Sequence, residues 1–174
     1  LNNRTINLIN VNHKKQKIKN KFDPSSQYIK TCFNIAFKFL KIGLTNKFIN
    51  GPINKSTFLN KKYPGMTEYI SKNFKIKKFG MLIYNEKLSV SPLTTHLPLK
   101  IISKKITRKL IKEQINLIDS FYKKNVGFQP KIAVTGLNPH CESISKFNED
   151  TRIIAPTIQF LKKLGYRING PYAA

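Results

Sequence analysis

The sequence is poor in cysteine, in acidic residues and in long apolar runs. Its 174 residues include only two cysteines, Cys32 and Cys141, which are too few for a disulfide framework. No segment is long and apolar enough to cross a bilayer, and the chain shows no internal repeat or low-complexity linker. We therefore expect a protein of the reducing cytoplasm that has no membrane partner.

Acidic residues are so scarce that the net charge reaches +24. Lysine and arginine neutralise phosphates, so this charge favours nucleic-acid binding. Only four of the 32 basic residues are arginine, although arginine is the residue expected to dominate base readout. The lysines are scattered, and Lys, Asn and Ile are inflated together, as an AT-rich coding sequence would produce. We attribute the charge mainly to codon bias, with an anionic substrate or a nucleic acid as the alternative cause.

The apolar content of 40%, with 12 Phe and 7 Tyr, is enough for a folded core. Strands are predicted at 6–11, 47–50, 79–84, 88–93, 131–135 and 166–169. Helices are predicted from Asp23-Pro24 to Gly43, at 55–62, 67–73 and 107–124, and from 148–150 to 164 with a disturbance at Pro156. This alternation predicts one α/β segment over 1–174, with a layered, largely parallel sheet flanked by helices.

Two histidines stand at the ends of apolar runs, in the segments Leu93-Thr94-Thr95-His96-Leu97-Pro98-Leu99 and Gly136-Leu137-Asn138-Pro139-His140-Cys141-Glu142. Each follows a predicted strand, and ligand-binding loops gather at the carboxyl ends of strands in α/β proteins. Neutral imidazole is a common ligand for divalent metals. His96 and His140 are therefore candidate ligands of one shared metal ion, although a lone histidine after a strand is more often structural.

Together these two segments resemble the 4-hydroxythreonine-4-phosphate dehydrogenase family, which carries T-T-H-x-P-L and, farther on, G-L-N-P-H-A-G-E. Gly51-Pro52-Ile53-Asn54-Lys55 is similar to the family's G-P-x-x-K, and Asn169-Gly170-Pro171 to its N-G-P. Thr67-Glu68 fits the end of its G-H-T-E. The order and rough spacing of these motifs agree from Ile6 to Ala174, effectively the whole chain.

The resemblance implies an isocitrate/isopropylmalate dehydrogenase-like fold and an enzyme of pyridoxal phosphate biosynthesis. Such an enzyme uses NAD to oxidise and decarboxylate 4-phosphooxy-threonine to 3-amino-2-oxopropyl phosphate. The resemblance implies that His96 and His140 hold a divalent metal (zinc, cobalt or magnesium) and that Lys55, Met66 and Thr67 face the small phosphorylated substrate. It also implies a homodimer with the active site at the subunit interface. No G-x-G-x-x-G fingerprint is present, so NAD rests on the resemblance alone, and no catalytic or NAD-contacting residue is assigned.

Three departures from the family pattern affect the expected activity. Met66 stands where the family has a substrate-contacting histidine, and the loop after His140 is shortened to Cys141-Glu142-Ser143 without glycines. The family's third metal-binding histidine, in H-D-Q-G, its phosphate-holding basic residues and its N-terminal G-E-P-A-G are not found in 1–174. We therefore expect this chain to be the central part of a longer two-domain dehydrogenase and to be inactive alone.

Several alternatives stay open at this point. Lys55 is as well explained as a surface lysine, Cys141 beside His140 is better explained by packing than by metal binding, and His13 by solvation in a lysine-rich loop. Met66 suggests a related dehydrogenase of threonate or erythronate 4-phosphate. From another class, the chain could be a non-catalytic basic module that binds RNA or DNA, although it has no aromatic-basic motif for stacking on single strands.

Overall fold

The computed structural model describes residues 4–12, 24–60, 62–141 and 147–173. Its elements are the helices α1 (Pro24–Lys41), α2 (Lys55–Leu59), α3 (Met66–Asn73), α4 (Leu99–Lys105), α5 (Arg108–Asn125) and α6 (Ala155–Lys163), the strands β1 (Ile132–Thr135) and β2 (Ile168–Tyr172), and a π-helical turn at Asp150–Ile154. The chain divides into two compact units, Leu1–Ile70 and Ser71–Ala174. No helix of the described ranges is long and apolar enough to cross a membrane.

An aromatic cluster holds the first unit together. Phe33 and Phe37, one turn apart on α1, are buried. The Phe33 ring stacks on Phe58 of α2 at 5.2 Å and meets Tyr69 of α3 edge-on at 5.8 Å. Such ring pairs stabilise a fold beyond the area that they bury. Other apolar positions of α1 are only partly buried, among them Tyr28, Cys32, Ile35, Ala36, Phe39 and Leu40.

Helix α1 ends as its sequence predicts. Gly43 has a φ of +73°, and the Leu44 N–H donates to the Phe39 carbonyl at 3.0 Å. Glycine adopts this left-handed conformation without the clash that a Cβ would cause, so it stops the helix while its last carbonyls remain bonded. The predicted start at Pro24 is also confirmed, whereas Asp23, the predicted cap, lies outside the described residues.

The strands predicted at 6–11 and 47–50 are wrong. Both segments are irregular, and the side chains of Ile6, Leu8 and Ile49 are 98%, 89% and 94% exposed. A strand needs a neighbour to satisfy its backbone and to cover its apolar face. Neither segment forms a strand ladder with another part of the described chain. Phe48 instead contacts Phe33 in the aromatic cluster, with 5.3 Å between the ring centroids.

The strands predicted at 79–84 and 88–93 are reduced to a single antiparallel bridge between Ile83 and Val90. Side chains hold the rest of this segment in place. The Ser91 hydroxyl donates to the Met81 carbonyl at 2.7 Å and accepts from the Gln114 amide of α5. A Cβ on Gly80 would lie 2.9 Å from that amide, so the segment lies directly against α5. These contacts replace the ladder of backbone hydrogen bonds that a hairpin would form.

The second unit is built on a parallel pair of strands, as predicted. β1 and β2 pair with Ile132 opposite Ile168 and Ala133 opposite Asn169, and the register shifts before Thr135. At the shift Gly170 has a φ of +131°, and a Cβ there would lie 2.3 Å from the Val134 carbonyl oxygen. Only glycine fits such an approach. The α/β class with a parallel sheet is thus confirmed, with these two strands as its sheet in the described residues.

The core of this unit lies between the strand pair and the helices α5 and α6. Helix α5 starts where predicted, because the Thr107 side chain accepts a hydrogen bond from the Leu110 N–H. The buried residues of this core are Ile106, Ile111, Ile115, Ile154, Ile158, Leu161 and Ile168. These apolar side chains recur at helical spacing on α5 and α6, which is why both helices were predictable from the sequence.

The disturbance expected at Pro156 is a π-helical turn. The Ala155 N–H donates to the Asp150 carbonyl, five residues back, before α6 continues with Pro156 in its first turn. Proline has no N–H and its ring crowds the preceding turn. A wider turn ahead of it lets one continuous helical path reach Lys163.

Candidate functional site

His96 lies on the loop between Val90 and α4. The side chain is exposed, and its backbone is left-handed, with a φ of +58°. Histidine adopts this conformation more readily than most residues, but it still requires support from the surroundings. Leu93, three residues earlier, packs against the core of the second unit and supplies an anchor for the loop.

His140 lies on the loop that leaves β1 and is also exposed. Leu137, again three residues earlier, packs against the same core as Leu93. The two histidine loops are thus anchored in the same way and on the same hydrophobic cluster. The prediction that His140 follows a strand is confirmed, whereas His96 follows the irregular segment described above.

The loop around His140 is closed by short contacts. The Cys141 N–H donates to the Asn138 carbonyl at 2.9 Å, and Cys141 has a φ of +56°. A Cβ on Gly136 would lie 2.5 Å from the Cys141 sulfur, so the two residues are in direct contact. This position supports the interpretation that Cys141 packs. The altered positions Glu142 and Ser143, and also His13, lie outside the described residues.

A carboxylate lies beneath this loop, in the segment Asn148-Glu149-Asp150 that the sequence predicts as the cap of the last helix. Asp150 is 0% exposed, and its two oxygens accept hydrogen bonds from the backbone N–H groups of Leu137 at 2.7 Å and Asn138 at 3.1 Å. The Asn138 side-chain amide donates a third bond at 2.7 Å. Of the three residues predicted as the cap, Asn148 provides it, because its side-chain oxygen accepts from the Thr151 N–H at 3.0 Å. The two residues share a local sequence signature, so sequence alone could not separate their roles.

The candidate substrate residues lie at helix starts of the other unit. Lys55 is the first residue of α2 and is exposed. Met66 and Thr67 open α3, and both are half-buried. The structure therefore brings Met66 and Thr67 together, while the two histidines belong to the second unit. The roles of all five residues remain predictions.

No group of three or more His, Cys, Asp or Glu residues able to hold a metal ion occurs within residues 4–12, 24–60, 62–141 and 147–173. Two exposed imidazoles are nevertheless donors of the right kind for zinc or cobalt. The donor type of His96 and His140 thus fits a divalent metal, although a site with three protein ligands would need one more residue. That they lie close enough to share one ion stays a prediction.

A cleft of about 560 Å³ adjoins the His96 loop. The loop contributes Thr94, Thr95 and Leu97 to its wall, and α4 and α5 contribute cations as well as Glu113. The cations are Lys104, Lys105 and Lys109. A cleft with this charge suits an anionic ligand. A second cavity, of about 470 Å³, is lined mainly by residues 131–133 and 166–169, near the amino ends of the strands, and includes neither histidine loop.

Comparison with known proteins agrees with these motifs. Residues 2–174 match the family described as "Pyridoxal phosphate biosynthetic protein PdxA". The 4-hydroxythreonine-4-phosphate dehydrogenase of Aquifex aeolicus is 37% identical over 125 residues, which are 69% of this chain and 38% of that protein. The D-threonate 4-phosphate dehydrogenase of Pectobacterium atrosepticum is 31% identical over 144 residues, 80% of this chain and 44% of that protein.

Solved structures give the same result. The crystal structure of 4-hydroxythreonine-4-phosphate dehydrogenase from Klebsiella pneumoniae is similar with a TM-score of 0.73 and 28% identity, over 86% of this chain and 47% of that one. The structure of a putative 4-hydroxythreonine-4-phosphate dehydrogenase from Salmonella typhimurium has a TM-score of 0.73 and 27% identity. The chain thus spans less than half the length of the relatives that it matches.

Proposed function

Because this chain belongs to the PdxA family of pyridoxal phosphate biosynthetic proteins, with the isocitrate dehydrogenase-like fold of that family, we propose that the complete protein is an NAD-dependent 4-hydroxythreonine-4-phosphate dehydrogenase. The reaction oxidises the secondary alcohol of 4-phosphooxy-threonine and then releases carbon dioxide to give 3-amino-2-oxopropyl phosphate. The observation that carries this proposal is the pair of histidine loops, each anchored by a leucine on one core.

His96 and His140 would hold the divalent metal, since each offers an exposed imidazole on a loop fixed to that core. A further ligand must come from outside the described residues, because those residues contain no complete ligand group. A bound NAD would supply the hydride acceptor for the alcohol, and a bound metal would supply a Lewis acid for negative charge on its oxygen.

The chain's own polar groups would bind and orient the substrate. The Lys55 ammonium would attract an anionic group, and the Thr67 hydroxyl would donate a hydrogen bond to it. The lysines of the cleft beside the His96 loop add positive charge to the surroundings of that loop. We also propose a cytoplasmic homodimer whose active site lies at the subunit interface.

Substitution of His140 tests the proposed metal role. The complete protein should lose NADH production in His140→Ala and after treatment with a chelator, because loss of a ligand removes the Lewis acid. Thermal unfolding should change little, since an exposed histidine contributes little to stability. Activity that survives in His140→Ala would show that the imidazole holds no metal.

A second candidate substrate is threonate 4-phosphate. It is favoured by Met66, which replaces a histidine of the family pattern, and by the similarity to a relative named D-threonate 4-phosphate dehydrogenase. Steady-state kinetics with both phosphorylated acids decides between them. A kcat/KM at least tenfold higher for threonate 4-phosphate would assign the chain to that reaction.

A further inference from the structure

The loop that carries His140 is held by a carboxylate that has no cationic partner among the described residues. Asp150 is completely buried, and in the described part of the chain it forms no ion pair. Removing a charged carboxylate from water is unfavourable unless several donors compensate. Among the described residues the compensation comes from Leu137 and Asn138.

The three bonds are directed at the backbone just before His140. One carboxylate oxygen accepts from Leu137 at 2.7 Å, and the other accepts both the main-chain and side-chain N–H groups of Asn138, at 3.1 Å and 2.7 Å. Hydrogen bonds to an ionised acceptor are stronger than those between neutral groups. The carboxylate therefore fixes the loop two and three residues before the histidine.

The helix that contains Asp150 does not need this carboxylate. Asn148 already accepts the Thr151 N–H, and the Thr151 hydroxyl donates to the Asn148 carbonyl at 3.4 Å. Asp150 is thus free to direct both oxygens away from its own helix. The hydrogen bonds of the buried Asp150 carboxylate go to the loop before His140.

The other end of the loop is also fixed. The Cys141 N–H bonds to the Asn138 carbonyl, and Gly136 is in contact with both the Cys141 sulfur and an Asp150 oxygen. Contacts to Asp150 before His140, and the turn that ends at Cys141 after it, therefore hold the backbone on both sides of His140. A change at Asp150 would move the backbone on which the imidazole stands.

We infer that Asp150 is a positioning residue, whose buried carboxylate sets the place of His140 without touching the ligand. The inference rests on the metal role of His140 proposed above. It adds a residue that the sequence motifs do not identify, from another element of the same unit. Removal of an outer-shell group that orients a metal ligand typically lowers metal affinity by about 10–100-fold.

The test is Asp150→Asn in the complete protein, with Zn²⁺ affinity measured by competition with a chelator and loop order by amide hydrogen exchange. The amide keeps the shape but turns one acceptor into a donor facing N–H groups. We expect Zn²⁺ affinity to fall about tenfold or more and exchange at Leu137 and Asn138 to accelerate, with α5 unchanged. Glu149→Gln, which removes one charge from the adjacent residue, should alter neither measurement.

A double-mutant cycle separates positioning from general destabilisation. In a His140→Ala background, Asp150→Asn should cause no further loss of Zn²⁺ affinity, because its effect passes through the imidazole. An additive loss would overturn the inference, as would unchanged exchange and affinity in Asp150→Asn alone. Unchanged affinity in His140→Ala would instead overturn the proposed function.

If Asp150→Asn does not fold, Asn138→Ala gives the same test in a milder form. It removes one of the three bonds and leaves the carboxylate and the two backbone donors in place. Zn²⁺ affinity should then fall in the same direction by a smaller factor. Wild-type affinity together with wild-type exchange in this variant would overturn the positioning role.

Discussion

Met66 is the residue whose chemistry departs most from the family pattern among the predicted substrate-facing positions. An imidazole can donate a hydrogen bond or a positive charge to an anion, whereas a thioether is only a weak acceptor. Restoring the imidazole by Met66→His should lower the KM for 4-phosphooxy-threonine about tenfold, which corresponds to roughly 1.4 kcal/mol of binding free energy. Steady-state kinetics of the complete protein measures this change.

Met81 provides the matched control, since it is the other methionine of the chain and lies in the second unit. Met81→His introduces the same chemical change at a residue that is not a candidate substrate contact and should leave KM unchanged. An unaltered or raised KM in Met66→His would mean that Met66 only packs, and the case for an altered substrate would then rest on the similarity to the threonate enzyme.

Gly170 is the residue at which the backbone tolerates least change. A Cβ there would lie 2.3 Å from the Val134 carbonyl oxygen, in a backbone with a φ of +131°. Gly170→Ala should therefore destabilise the complete protein by about 2–4 kcal/mol, because strain and a backbone clash add together. Chemical denaturation measures the loss.

Gly127 separates these two causes. It also has a positive φ, of +90°, but a Cβ added there would meet no atom within 4 Å. Gly127→Ala should cost only the conformational strain, about 1–2 kcal/mol. Equal losses at both positions would contradict the close approach between β1 and β2.

Some residues of the candidate site can be predicted from the sequence and others cannot. Histidine motifs are local, so His96 and His140 could be chosen from the sequence. Asp150 could not, because its partners Leu137 and Asn138 lie twelve or more residues away. An acidic residue before an apolar helix has a sufficient local explanation as a cap. Only the packed structure shows that Asn148 has that role.

At the scale of elements, helices were predicted better than strands. α1, α5 and β1 were confirmed because caps, glycine stops and apolar periodicity are written in adjacent residues. The strands predicted at 6–11, 47–50, 79–84 and 88–93 depended on partners that the sequence cannot specify. The segment 79–93 shows the reason, since it forms a single bridge and is held to α5 by hydrogen bonds through Gln114 and Tyr122, while apolar side chains such as Ile83 and Val90 stay exposed.

Helix α4 offers a test of the cleft beside the His96 loop. Lys104 and Lys105 line the cleft, whereas Lys100 on the same helix does not. Removing both cleft lysines by Lys104→Ala/Lys105→Ala should raise the KM for a phosphorylated substrate about threefold to tenfold, with kcat largely kept. The effect should weaken as salt screens the charges.

Lys100→Ala controls for the loss of a positive charge from α4. Its KM should equal that of the unaltered protein, and all three proteins should unfold at similar temperatures, since these lysines are exposed. If Lys100→Ala raises KM as much as the double variant, the effect belongs to overall charge and the cleft does not bind substrate.

At the scale of the whole molecule, the described chain carries only two of the ligands that the proposed metal site would need. It spans less than half the length of its relatives, and its described residues contain no three-ligand group. Residues 1–174 expressed alone should therefore produce no NADH from 4-phosphooxy-threonine, even with added Zn²⁺. Turnover by this chain alone would show that the two histidines suffice.

The net charge of +24 leads to the last prediction, because it is the property that most favours a nucleic-acid-binding module. If the charge is a by-product of codon usage, binding to DNA or RNA should be non-specific and should come only from released counterions. The complete protein should then bind no tighter than about 1 µM at roughly 150 mM salt, with a steep loss of affinity as salt rises. Titration of labelled single- and double-stranded oligonucleotides over a salt series measures both quantities.

A dissociation constant below about 100 nM that persists at physiological salt and depends on sequence would favour the binding module, since specific complexes remain tight under those conditions. The lysines lining the cleft beside the His96 loop would then have to be explained as contacts to a phosphate backbone.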